Sequence, residues 1–301
     1  MSAMSQQNPG DSKWGPLKHP RRSGSTGLTI LTGVLRYLLL ILLSLIFLFP
    51  FYIMVRNALS TNAEITSFEW VWWPKEMQWS NLTDLFNTTE VNMALGLRNS
   101  AILAIVNLIF QTLFASMAGY ALARIPFKGS GIVFSIILVT LMVPAAVTFV
   151  PTYVVVAKLG GINTLWGVVV PGLFSAFSTF LFRQFYLDFP KDLEEAGRLD
   201  GLTYYGLYFR LLLPNSMGIM AALGVLSFIN NWNAFLWPSI VGQSPQTRTV
   251  QVVLSAFLTA QTINLSALFM GAVVGALPLV IVFLFMQRFI VQGVRMSGIK
   301  G

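Results

Sequence analysis

Chemistry needs acids, bases, nucleophiles or metal ligands, and this chain of 301 residues is poor in all of them. It has no cysteine, so neither a disulfide nor a thiolate metal site can form. Its one histidine, His19, sits in a basic segment rich in Ser, Gly and Pro. No G-x-x-x-x-G-K phosphate loop is present, so the chain carries no motif for hydrolysing nucleotide itself. Residues 131–157, 159–182, 215–247 and 249–287 contain no Asp, Glu, Lys, Arg or His. An ion-coupled carrier usually keeps such a group near the bilayer midplane. Its absence favours energy delivered from outside the chain, although backbone carbonyls can hold sodium and leave ion coupling open.

Two stretches still offer function. The first is Glu195 to Pro214, EAGRLDGLTYYGLYFRLLLP, a polar island between apolar runs. Pro190 suits the first turn of a helix, and Lys191 to Leu199 can continue it. Asp200-Gly201 stops it, because glycine accepts the left-handed conformation of a C-terminal cap. Thr203 to Leu213 resumes as a second short helix, and Pro214 marks where the chain turns into the membrane. The product is a helix-turn-helix elbow, a peg shaped for a groove elsewhere. The second stretch holds Asn231, Trp232 and Asn233 beside Phe235 and Trp237. Amides pair with hydroxyls and indole faces suit the apolar side of a sugar ring. Helix–helix hydrogen bonding explains the same residues equally well.

The elements that must position these residues are membrane helices. The chain is 55% hydrophobic and only 10% charged, which excludes an ordinary soluble domain. Several apolar runs exceed the roughly 20 residues needed to cross a bilayer. The expectation is an all-α, polytopic bundle of six transmembrane helices with both termini cytoplasmic. The spans are about Leu28–Val55, Ser100–Ala123, Gly131–Ala157, Thr164–Phe182, Ser216–Ile240 and Leu265–Met286. Pro144 and Pro151 are expected to bend or break the third. Gly271 and Gly275 in the sixth are spaced for close helix packing. Residues 1–27 read as a disordered cytoplasmic tail, 28–292 as the transmembrane domain and 293–301 as a cytoplasmic tail. Within the domain the elbow occupies 190–214, and external loops occupy 56–99 and 241–263. This topology leaves Arg56, Lys75, Arg98, Lys158 and Arg248 outside and the other 14 of the 19 basic residues inside, as positive-inside charge bias demands. The net charge of +8 is therefore a topology signal rather than a sign of nucleic-acid binding.

The elbow resembles the EAA loop of ABC importer permeases. That pattern is Glu-Ala-Ala, a Gly shortly after, nine residues, an aliphatic residue, any residue, Leu and Pro. Glu195, Ala196 and Gly201 match, residues 202–210 make the nine, and Leu211, Leu213 and Pro214 follow. Gly197 replaces the usual second Ala, at a helix-propensity cost of about 1 kcal/mol. Further segments are similar to the smaller six-span permease of maltose-type carbohydrate importers: Arg98-Asn99-Ser100, Tyr120–Arg124, Arg183-Gln184-Phe185, Asn231–Pro238, Arg248-Thr249 and Gly293–Gly301. The resemblance implies a multi-pass protein of the bacterial plasma membrane that takes up a sugar and is not itself an enzyme. It implies a second, homologous permease subunit, two ATP-binding subunits that hold the ATP and Mg, and an extracytoplasmic solute-binding protein. No cofactor binds this chain itself, and its other contacts are sugar and membrane lipid. It implies ATPase coupling through Glu195, Ala196, Gly197, Asp200, Gly201 and Pro214. The loop 241–263 would meet the binding protein, and the tail 293–301 the ATPase interface. A permease for another solute, or a carrier working without ATP, are the competing readings.

Overall fold

A computed structural model describes residues 26–88, 91–259 and 262–298. The tail assigned to 1–27, apart from its last two residues, and the last three residues of the 293–301 tail lie outside them, as does His19. The chain divides into two units, one ending at Tyr52 and one running from Ile53.

The first unit holds most of α1 (Thr26–Ala58). The apolar side chains from Ile30 to Phe51 are exposed on every side of it. A helix that is apolar all round needs an apolar surrounding, and by length and composition this one is a candidate membrane span.

The second unit is almost wholly helical. After the end of α1 come α2 (Asn62–Thr66), α3 (Ser80–Asn87), α4 (Met93–Arg124), α5 (Ser130–Met142), α6 (Ala145–Lys158) and α7 (Leu165–Val169). A 3₁₀ turn over Val170–Gly172 leads to α8 (Ala176–Leu187), α9 (Lys191–Leu199) and α10 (Tyr204–Leu207). A π-helical turn, Tyr208–Leu212, joins α10 to α11 (Leu213–Asn215). Then follow α12 (Met217–Trp232), α13 (Leu236–Val241), α14 (Val250–Ala256), a two-residue antiparallel pairing of β1 (Leu258–Thr259) with β2 (Thr262–Ile263), and α15 (Leu265–Gly298).

Among the described residues four helices are long and apolar enough to cross a membrane, and six spans result if each of two bent pairs counts as one. The first pair is α5 with α6, bent by 104° at Val143-Pro144. Pro144 is the breaker there; Pro151 lies inside α6 without ending it. The second pair, bent by 75°, joins Tyr204–Asn215 to α12. Several boundaries differ from the sequence expectation, and α15 runs on to Gly298 where the sixth span was expected to end near Met286. The second span starts at Met93, where the Asn92 side chain accepts the Leu95 N–H at 2.9 Å and caps the helix. The fifth stops at Trp232, and α13 is a separate piece after Asn233. The stretch 241–263, expected as an external loop, contains a helix, α14.

Helix α4 is the hub. It contributes to three hydrophobic clusters: one with α12, α14 and α15, one with α8 and the elbow, and one with α6, α7 and α13. Close crossings are made by glycine. A methyl group on Gly119 would lie 2.7 Å from Phe182 Cβ and 2.8 Å from the Arg183 backbone N, so only hydrogen fits between α4 and α8. The expected close packing at Gly271 is present, because a Cβ there would meet Leu254 Cδ2 at 2.5 Å.

Candidate functional site

The elbow begins at α9, whose observed limits coincide with those expected. Its stop is a full Schellman motif: Leu202 N–H donates to the Gly197 carbonyl at 2.9 Å and Gly201 N–H to the Arg198 carbonyl at 3.0 Å. Gly201 takes φ +83°, the left-handed region that disfavours any side chain. Thr203 then caps α10, its hydroxyl accepting the Gly206 N–H at 3.3 Å.

Pro214 has no N–H to donate to the preceding turn. The chain answers with the π-turn at 208–212 and with side-chain donors. The Asn215 amide donates to the Leu211 carbonyl at 2.7 Å, and the Ser216 hydroxyl to the Leu212 carbonyl at 2.6 Å. These bonds give the Leu211 and Leu212 carbonyls side-chain donors at the corner. The turn toward α12 falls at Ser216, two residues after Pro214.

The elbow has two faces. Glu195, Ala196 and Asp200 are exposed, Leu199 is 90% exposed and Tyr205 is 77% exposed. Glu194 and Gly197 point inward. Gly197 has a steric reason to lack a side chain, since a Cβ there would lie 2.7 Å from Cδ2 of the buried Leu207. The two arms of the elbow therefore close on each other through this glycine. Arg198 adds a cation–π contact with Tyr204, 5.2 Å from the ring centroid.

The inward face is tied to α4 by three residues one turn apart. Ser116 accepts from the Tyr208 hydroxyl at 3.0 Å and pairs with the Tyr186 hydroxyl at 2.7 Å. Tyr120 donates to the Tyr204 carbonyl at 3.1 Å. Arg124 Nε lies 2.9 Å from Glu194 Oε1, with both side chains buried, and its Nη2 donates to the Phe189 carbonyl. Nε and Oε1 form no aligned hydrogen bond, so the Arg124–Glu194 contact is chiefly electrostatic. Burial pushes the Glu194 carboxyl above its ordinary value of 4.5, and the nearby Arg124, Arg198 and Lys191 pull it back. Sequence reading selected Glu195 and Asp200, missed Glu194 and Ser116, and noted Tyr120–Arg124 only as a family-like segment without its tie to the elbow. The i, i+4, i+8 spacing of Ser116, Tyr120 and Arg124 was the available signal.

The second candidate stretch is divided by the fold. Trp232 is buried and its indole N–H donates to the Gly275 carbonyl at 2.9 Å, packing α12 on α15. Asn231 is half-buried and donates back to the Ser227 carbonyl at 2.8 Å. Asn233 is exposed and accepts from the Gln251 amide at 3.2 Å. Among the described residues no cluster of three or more His, Cys, Asp or Glu side chains forms.

A family described as binding-protein-dependent transport system inner membrane component matches residues 111–296. The arabinooligosaccharides transport system permease protein AraQ of Bacillus subtilis (strain 168) is 34% identical over 266 residues, 88% of this chain and 94% of AraQ. The lactose transport system permease protein LacG of Rhizobium radiobacter is 32% identical over 263 residues, 87% of this chain and 95% of LacG. A solved chain from a bacterial ABC transporter involved in the import of the acidic polysaccharide alginate shares the fold, with TM-score 0.75 and 20% identity over 86% of this chain and 96% of that one. The elbow, the helical spans and these likenesses agree: the chain belongs to the family of multi-pass inner membrane components of binding-protein-dependent transport systems.

Proposed function

We propose that this chain is the permease subunit of an ATP-driven carbohydrate importer, and that its elbow is the joint through which separate ATPase subunits drive it. One observation carries the reading: the elbow is bolted to α4 on one face and presents Glu195, Ala196, Leu199 and Tyr205 on the other. A peg bound firmly behind, with Leu199 and Tyr205 exposed in front among the charged Glu195 and Asp200, is built to sit in a partner's cleft. The partners are a second permease subunit, two ATP-binding subunits carrying ATP and Mg, and an extracytoplasmic binding protein. Relatives named for arabinooligosaccharides and lactose support a sugar as cargo. The elbow faces the cytoplasm, as the charge bias of the sequence requires.

The transport step is alternating access. ATP closes the ATPase pair, the elbow follows its cleft, and the bundle turns outward to accept sugar from the binding protein. Gly201 gives the peg its corner, Gly197 lets its arms close, and Pro214 with the π-turn sets the angle into α12. Asn231 and Asn233 are assigned to the solute pathway, with Trp232 holding α12 in place behind them.

Gly201→Pro tests this. It forbids φ +83° and removes the N–H donated to Arg198. The expected outcome is normal membrane insertion, loss of the co-purifying ATP-binding subunits and loss of uptake. Wild-type uptake by this variant would overturn the assignment of the elbow.

A further inference from the structure

We infer that α4 is a strut clamped at both ends, fixing the external loop 242–249 and the elbow to one rigid body. The inference rests on the reading above for what touches each end.

At the elbow end, Ser116, Tyr120 and Arg124 lie on one stripe of α4, and each holds a different part of the elbow: Tyr208, the Tyr204 carbonyl and Glu194. At the other end, Asn99 is buried and its amide donates to the carbonyls of both Gln246 and Arg248, at 2.8 and 2.9 Å. The next residue, Ser100, accepts the Val250 N–H at 2.9 Å. It thus satisfies an orphan donor at the start of α14. Thr249 stands where a capping residue would, yet its buried hydroxyl has no hydrogen-bond partner. The cap of α14 therefore comes from α4. Gly96 brings the two helices together, because a Cβ there would meet Val253 Cγ2 at 2.8 Å.

All 32 residues of α4 run without a proline, and from Asn99 to Arg124 the helix rises about 38 Å at about 1.5 Å per residue. By contrast, the α5–α6 span is bent by 104° and the elbow–α12 span by 75°. Force applied to the loop tip, where Gln243, Pro245 and Gln246 are exposed, reaches the elbow through α4 without a hinge. The side chains of Asn99, Ser100 and Arg124 are positioning residues for transport: they touch neither solute nor nucleotide.

Because the chain has no cysteine, spin labels can be placed at Gln246→Cys and Asp192→Cys alone. The complex with its companion permease and ATP-binding subunits is held in lipid nanodiscs. Electron–electron distances are measured without nucleotide and with ATP, Mg and vanadate. The strut predicts a narrow distance distribution that shifts by less than one helical turn, about 5 Å, between the two states. Asn99→Ala and Arg124→Ala should each broaden it. Arg124→Glu combined with Glu194→Arg should restore it if either single replacement disrupts assembly or broadens the distribution. A shift larger than a turn in the unaltered clamps, or unchanged distributions in both alanine variants, would overturn the strut. Absence of the ATP-binding subunits from the purified unsubstituted complex would instead overturn the proposed function, and the strut's role with it.

Discussion

At position 197 a side chain would have to displace Leu207, and this one contact accounts for the departure from a second alanine. Gly197→Ala gains about 1 kcal/mol of helix propensity but puts its Cβ 2.7 Å from the flexible end of Leu207. The two effects oppose, so thermal stability of the purified complex should barely move. Gly197→Val cannot be relieved in the same way and should lose the ATP-binding subunits on purification. Gly119→Ala meets backbone rather than a side-chain tip. It should destabilise the α4–α8 pair by about 1–3 kcal/mol, as overpacking does, seen as a lower melting temperature. Trp232→Phe removes one buried hydrogen bond, to Gly275. The expected loss is about 1 kcal/mol of stability with KM for uptake unchanged; a raised KM would return Trp232 to the solute pathway. Residue types and spacing made Glu195 and Gly201 legible. They gave no sign that Glu194 faces inward, because its partner Arg124 lies 70 residues away in sequence.

The elbow as an element was legible in sequence because its punctuation is backbone chemistry: Pro190 before α9, Gly201 after it, Thr203 before α10. Its second arm was expected as one helix and is three pieces, since Pro214 deprives the preceding turn of a donor and the π-turn absorbs the mismatch. The tie to α4 was not legible. Ser116, Tyr120 and Arg124 share a stripe, but α4 is apolar on most sides and its partners lie 65 or more residues away. That tie has a pH signature. The Glu194 carboxyl sits above 4.5 because burial outweighs the attraction of Arg124, Arg198 and Lys191. Folded Glu194 therefore binds its proton more tightly than unfolded Glu194. Its contribution to stability is full below the unfolded value and is lost as pH rises through the raised folded value. The ion pair follows the opposite course, forming only above the raised value. Sugar uptake per ATP hydrolysed should accordingly fall on mild acidification, at a pH higher than an exposed glutamate would dictate. Glu194→Gln should flatten that profile. A profile unchanged by Glu194→Gln would assign the titration to another group.

On the scale of the whole molecule, span count and class were legible because length and hydropathy are set by the bilayer rather than by the fold. The bends were less so: Pro144 announced one, whereas the corner at Ser216 depends on how α10 and α11 pack beneath α4 and α8. The Arg98-Asn99-Ser100 segment was seen only as a family fragment, and its role as the clamp of loop 242–249 needed the loop's carbonyls in place. The central claim is that work enters this bundle from a separate ATPase through the elbow. The most direct measurement is accumulation of radiolabelled sugar inside proteoliposomes, with binding protein present and the permease pair reconstituted with or without the ATP-binding subunits and ATP. Accumulation above the external concentration only when both subunits and ATP are supplied is the predicted result. Accumulation by the permease pair alone would contradict it.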